Sequence, residues 1–279
     1  MSSDAQPKLP IIEFDEENMT PGTSSWLLTS DLVRQALESY GCLLAKYKKL
    51  SPELHDRMFK LSKELFHLPT EIKVQNTSDI LGFGYGTNFS IMPLVEYFGI
   101  ENGATLEATK EFTNLMWPAG NESFCETAFS YSKLLSELDH AVMRMVFGSY
   151  GAEKYCDPLI KSSFYLVRFL KYRTPEADEI NIGLNPHTDQ DFLGILDTNQ
   201  VTGLEIQMKD GEWITYDPSP STSTFLVIAG EPFKVKVSEE LVDDENPLQF
   251  KDFNHLDFLE FLRGGRYEME RPIVAFCGI

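Results

Sequence analysis

NPHTDQDFLGIL, residues 185–196, is the stretch on which the reading of this chain turns. It ends in an apolar run, Phe192, Leu193, Ile195 and Leu196, with the texture of a buried strand. Ahead of that run stand His187 and Asp189, two residues apart. In extended chain such side chains leave the same face, so an imidazole and a carboxylate converge on one point. Asn185-Pro186 fixes the entry, because proline holds its predecessor extended. A nitrogen and an oxygen donor so placed match two of the three ligands in the 2-His-1-carboxylate triad of non-haem Fe(II) sites. The competing reading is structural, with Thr188 and Asp189 capping a turn.

The surroundings of the motif read as β structure. From about residue 162, FYLVRFLKY (164–172), FLGIL (192–196), GLEIQM (203–208), EWITYD (212–217) and TFLVIAG (224–230) are short β-branched or aromatic runs separated by turns. GLEIQM and EWITYD form a hairpin with Asp210-Gly211 in its turn. This spacing predicts an antiparallel sandwich or barrel. The first half reads as mostly helical after a short strand at Leu9–Phe14. TSDLVRQALESYG (29–41) has Thr29 or Ser30 as cap and Gly41 as stop. In LSPELHDRMFKLSKELFHLP (50–69), Ser51 caps, Pro52 suits the first turn and Pro69 ends the helix. A third, long helix runs through residues 126–151. Between the second and third helices, LGFGYGTNFS (81–90) is a loop able to reach over a pocket; its glycines do not follow the dinucleotide-binding order. The resulting division is a mostly helical region at 1–110, a long connecting helix at 111–160, a β core at 161–237 and a helical tail at 238–279.

Bulk composition narrows the partners. The 279 residues, 42% hydrophobic, are enough for a sizeable core. A formal net charge of −19 argues against nucleic acid and anionic membrane surfaces. The amino terminus lacks the pattern of a signal peptide, and no run approaches the length of a membrane span. Cys42, Cys125, Cys156 and Cys277 are scattered, as expected of reduced thiols in a cytoplasmic protein.

Several stretches resemble the plant 2-oxoglutarate- and Fe(II)-dependent dioxygenases, and among them the AOP-like glucosinolate dioxygenase subgroup. They are residues 9–27, LESYGCLLAKYKKLSPELHDRMFKLSKELFHLP (37–69), LVRFLKYRTPEADE (166–179), LNPHTDQDFLGIL (184–196), residues 201–231 and ELVDDENPLQFKDFNHLDFLEF (240–261). The resemblance covers nearly the whole chain. It implies an α+β fold, a double-stranded β-helix (jelly roll) with flanking helices. It implies an oxidoreductase of plant specialised metabolism or hormone chemistry that hydroxylates or oxidises a small molecule. Fe(II), 2-oxoglutarate and O2 are the expected cofactor and co-substrates, with ascorbate as reductant.

Residue by residue, the resemblance assigns the metal to His187 and Asp189, and contact with 2-oxoglutarate to Tyr172. The asparagine that often stands two residues before that tyrosine is Leu170 here. The family's second histidine and its carboxylate-binding arginine have no counterpart. The match is continuous to Glu231, then PFKVKV (232–237) leads directly into SEELVDDENPLQF (238–250). A block of roughly thirty to forty residues, several strands of a jelly roll, is absent there. The jelly roll is thus expected to be incomplete at its carboxy-terminal strands, with self-association through exposed strand edges as one consequence. His255 is the candidate replacement ligand, and Lys234 or Lys236 the candidate carboxylate partner. His55, His67 and His140 sit on predicted outer helices and read as solvated or structural. Phe83, Tyr85 and Phe225 are pocket candidates, with a core role as the alternative for Phe83. Three readings stay open: an enzyme using replacement ligands, an inactive shortened form, or a binding or dimerisation module.

Overall fold

The computed structural model describes residues 9–278 apart from 81, 91, 200, 219–222, 232–250, 252–254, 264–265, 267–268 and 270–271. Two compact units emerge, Met1–Pro186 with Ile195–Val227, and His187–Gly194 with Ile228–Ile279.

The first unit opens with β1 (Ile11–Phe14), which runs parallel to β2 (Cys42–Tyr47) with Ile11 opposite Leu44. Helix α1 (Ser24–Tyr40) joins them. Its cap is Thr23, whose hydroxyl accepts from the Trp26 N–H, and not the expected Thr29 or Ser30. Both of those are buried inside the helix, whose cap lies six or seven residues earlier than the apolar stripe suggests. Gly41 ends α1 in the left-handed region, φ 72°, as its position predicts, and donates to Leu37 O. Helix α2 (Pro52–Phe66) has the expected Ser51 cap and Pro52 in its first turn. A short α3 (Thr70–Lys73) follows.

The first half also contributes two strands that periodicity did not announce. β3 (Gly86–Phe89), β4 (Met92–Glu101) and β5 (Leu166–Tyr172) form an antiparallel three-stranded sheet, with Glu96 opposite Lys171 and Val95 opposite Tyr172. β4 is the central strand and is buried on both faces, so it lacks the alternation that marks a half-buried strand. Helices α4 (Leu106–Met116), α5 (Glu122–Ser149) and α6 (Glu153–Ser162) complete this part, and α5 packs on α1, α2, α4 and α6. A row of rings ties the layers together: Phe66 to Phe98 at 5.4 Å, Phe98 to Phe112 at 5.9 Å, Phe112 to Phe124 at 6.0 Å, and Phe124 to Phe169 at 5.9 Å. Such pairs add about 0.5–1.5 kcal/mol each beyond the area they bury.

The remaining strands are β6 (Leu193–Leu196), β7 (Glu205–Gln207), β8 (Trp213–Thr215) and β9 (Thr224–Ala229). One sheet has the order β1-β2-β9-β6. β7 and β8 are the expected hairpin, with Ile206 opposite Ile214 and both buried. Gly211 in its turn has φ 91°, a conformation that glycine adopts without strain. In the second unit, α7 (His255–Arg263) and α8 (Pro272–Cys277) pack through Phe258, Phe261 and Phe276.

Candidate active site

His187 and Asp189 lie in the second unit, just before β6. His187 Nε2 stands 3.3 Å from Asp189 Oδ1. The side chains are 48% and 33% exposed. Two donors at adjacent corners of an octahedral ion, each about 2.1 Å from it, stand about 3 Å apart. The observed spacing fits that arrangement for two of the three triad ligands. Next to the pair, Gln190 donates through Nε2 to Thr188 O at 3.0 Å, while its Oε1 is buried without a hydrogen-bond partner. An acceptor left so costs about 1–3 kcal/mol and is a group that a bound molecule or water can satisfy.

The end of β9 is fastened to this motif. Glu231 N donates to Asp189 O at 2.8 Å and Gly230 N to Phe192 O at 3.2 Å. A Cβ on Gly230 would come within 1.9 Å of Asp191 O, so only glycine allows this approach. The chain thus passes directly beside the His187–Asp189 pair as it leaves β9. Lys234 and Lys236 lie outside the described residues. His255 begins α7, and its side chain lies outside them too. Among the described residues, no group of three or more His, Cys, Asp or Glu side chains gathers as a metal site.

Tyr172 belongs to the first unit, at the end of β5. It is 54% exposed, and Gly183 lies so close to its ring that a Cβ there would meet Cδ1 at 2.7 Å. The three pocket candidates have separate surroundings. Phe83 is half-buried with its ring 6.0 Å from Phe164. Phe225 is fully buried on β9. Tyr85 packs 5.0 Å from Phe98 and donates to Glu96 Oε1 at 3.0 Å.

Two polar clusters in the first unit went unread in the sequence. Glu96 accepts from Lys73 at 2.5 Å, from Tyr85, and from Lys171 at 3.2 Å. Burial pushes its pKa up, but the bonds from Lys73, Tyr85 and Lys171 outweigh burial and hold the carboxyl below its usual range. Burial first, and then the Glu96 bond, push the Tyr85 phenol up to about 12. In the second cluster, Asp197 accepts from Tyr131 OH and sits 3.3 Å from His55 Nε2. His55, expected on a solvated or structural face, is therefore structural and buried. The signal for both clusters was a charged residue inside an apolar run: Glu96 in MPLVEYFGIE, Asp197 after FLGIL.

Residues 9–118 match the family described as non-haem dioxygenase in morphine synthesis, N-terminal, and residues 162–236 match the 2OG-Fe(II) oxygenase superfamily. The chain is 37% identical to a probable 2-oxoglutarate-dependent dioxygenase, AOP1, of Arabidopsis thaliana, over 92% of this chain and 97% of the relative. That alignment runs over 297 positions, although the chain has 279 residues and contributes 92% of them. The relative therefore carries positions with no counterpart here. In fold, the chain is similar to the dioxygenase for auxin oxidation 1 of Arabidopsis thaliana, with a TM-score of 0.72 at 27% identity and 82% of each chain covered. It is also similar to the dioxygenase for auxin oxidation of rice, with a TM-score of 0.78 at 21% identity over 98% of this chain and 100% of that one. Among the described residues, no helix is long and apolar enough to cross a membrane. The metal-type motif, the fold and the relatives agree: this chain belongs to the 2-oxoglutarate- and Fe(II)-dependent dioxygenases, in their AOP-like subgroup.

Proposed function

We propose that this chain binds Fe(II) through His187 and Asp189 and oxidises a small plant metabolite or hormone-like acid with 2-oxoglutarate and O2, ascorbate serving as reductant. The observation that carries this is the 3.3 Å approach of His187 Nε2 to Asp189 Oδ1. When bound, iron with 2-oxoglutarate supplies the oxidising chemistry of the family. The chain's own residues do the rest. His187 binds as the neutral imidazole, and Asp189 supplies one negative charge. The Glu231 and Gly230 backbone bonds hold the motif in place. Tyr172 contacts 2-oxoglutarate. Phe83, Tyr85 and Phe225 shape the substrate pocket.

We place the positions absent from this chain after Glu231, where the jelly roll loses its carboxy-terminal strands. His255 then supplies the third ligand, and Lys234 or Lys236 meets the far carboxylate of 2-oxoglutarate as a point charge, without the two-pronged geometry of arginine. The domain division at 1–110, 111–160, 161–237 and 238–279, a cytoplasmic location and self-association through uncovered strand edges belong to the same reading. The four free cysteines support the location.

Anaerobic titration of the purified chain with Fe(II) and 2-oxoglutarate tests it. A saturable metal-to-ligand charge-transfer band that His187→Ala abolishes is expected. No band in a folded sample would sink the catalytic reading and leave a binding or dimerisation module.

A further inference from the structure

A cleft of about 270 Å³ lies in the first unit, well away in sequence from the motif above, between the loop that precedes α1 and one face of α5. Glu137, His140 and Arg144 recur at helical spacing and present that face together. Met19, Pro21 and Trp26 add an apolar wall from the loop before α1 and the start of that helix, and Lys49 also lines the cleft. We propose that this cleft is a binding site for a small aromatic carboxylate, its ring against Met19, Pro21 and Trp26 and its charge between Lys49 and Arg144.

The apolar wall is preformed. Asp15 N donates to Asn18 Oδ1 at 2.9 Å and Asn18 N to Asp15 Oδ1 at 3.2 Å, so the turn before Met19 is closed by reciprocal bonds. Met19 N donates to Asp15 O, and Thr20 Oγ1 to Glu16 O at 2.7 Å. Trp26 is anchored by the Thr23 cap at the start of α1. A wall ordered before binding spares a ligand the entropy of ordering it. Met19 contributes a polarisable thioether to the lining, and Trp26, 8% exposed, a small part of its surface.

The charged side is unusual for this molecule. The chain has 43 acidic against 24 basic residues, yet the cleft gathers a lysine, an arginine and a histidine against one carboxylate. Lys49 approaches Glu137 only at 3.5 Å, across a half-exposed pair that holds the ammonium weakly. Arg144 uses Nη2 on Asp157 at 2.9 Å, and a guanidinium has five N–H donors, so others remain for a ligand. Burial first, and then the Arg144 charge, lower the His140 pKa, which leaves a neutral imidazole with one N–H to donate. A volume just under the usual range for drug-sized ligands suits a molecule of roughly ten to fifteen non-hydrogen atoms.

The probe is phenylacetate, titrated into the full chain and followed through the indole N–H signals in nitrogen-edited NMR spectra. The chain has three tryptophans, and Trp26→Phe assigns the relevant signal. The expected result is a saturable shift of the Trp26 signal. Phenylacetamide, with the same shape and no charge, should need about five- to tenfold higher concentration, and Lys49→Gln and Arg144→Gln should each weaken phenylacetate by a similar factor. Both substitutions remove exposed ion pairs that contribute little to stability, and a thermal melt of each variant confirms the fold. The proposal is overturned if the Trp26 signal does not saturate, if only the other two indoles respond, or if both folded variants bind as the parent does.

Discussion

Helix α5 and strand β5 are both apolar in sequence and meet in the same unit, yet they end in different states. α5 carries Phe124, Leu138, Val142 and Met145 to complete burial. β5 has no fully buried side chain, and Leu170 and Tyr172 on it are 41% and 54% exposed. β6 is half-buried throughout. The difference lies in where the cover comes from. α5 is wrapped by α1, α2, α4 and α6, all earlier in the chain or adjacent to it. The strands of a jelly roll cover each other, and some covering strands come late in the chain. An apolar run is a demand for cover, and only the rest of the chain decides whether it is met.

Substitutions can break this comparison. Phe98 on β4 is fully buried and touches Phe66, Tyr85 and Phe112. Phe98→Ala is expected to cost about 3–5 kcal/mol in urea unfolding, the sum of lost transfer energy and a cavity between well-packed rings. A cost under about 1 kcal/mol would mean that the ring cluster joining β4 to α2 and α4 is no better packed than the exposed part of β5.

The next largest effect tests the buried ionic contacts of the same region. Asp197→Ala leaves His55 and Tyr131 buried without their partner, at an expected cost of about 2–4 kcal/mol. The cost depends on pH. Burial lowers the His55 pKa, but the bonds and charges of Asp197 and Asp56 outweigh it, and the net shift is upward. A histidine with a raised folded pKa adds its full share of stability below its unfolded value of about 6.5, and that share is lost as pH rises through the folded value. Unfolding of parent and variant at pH 6 and pH 9 should therefore show a larger gap at pH 6. Equal gaps would mean that His55 stays neutral.

Asp139 provides a smaller effect of opposite sign. Burial raises its pKa from 3.8 to about 6, against the lowering effect of the Tyr165 bond. The folded state then holds a proton that the unfolded state has released, so stability falls as pH rises from 3.8 to about 6 and stays level above. Asp139→Asn keeps an acceptor for Tyr165 OH, which donates to Oδ2 at 2.6 Å. It should stabilise the protein by about 1–3 kcal/mol at pH 8 and by nothing near pH 3. A thermal melt at both pH values decides, and destabilisation at pH 8 would show that the ionised carboxylate is the form the fold uses.

These sites also mark what sequence could and could not disclose. Gly41, Ser51 and the Asp210-Gly211 turn act through local geometry, and local geometry is written in neighbouring residues. Thr23 was missed because five of the eight residues from 23 to 30 are serine or threonine, so the cap is decided by where α1 packs. β4 was missed because burial on both faces erases alternation. The approach of His187 to Asp189 was legible because the two residues are neighbours in the chain. The proposed third ligand, His255, stands 66 positions beyond Asp189, and no local pattern links it to the pair. The Asp197 and Glu96 clusters join residues more than twenty positions apart, so a lone charge in an apolar run was their only trace.

The smallest expected effect is the most direct test of the comparison. Leu170 sits on β5 opposite Tyr97, with its side chain 41% exposed. If nothing covers it in solution, Leu170→Ser gives up little burial, and surface changes of this kind stay within about 0.5 kcal/mol. Serine has a lower strand preference than leucine, but an accessible site absorbs that small difference. A loss above about 2 kcal/mol would mean that the side chain is buried in the working protein. Self-association would then be the source of the cover if the loss shrank on dilution, because a contact between copies stabilises only in proportion to their concentration. A loss independent of concentration would instead assign the cover to the chain itself, and the contrast between α5 and β5 would fall.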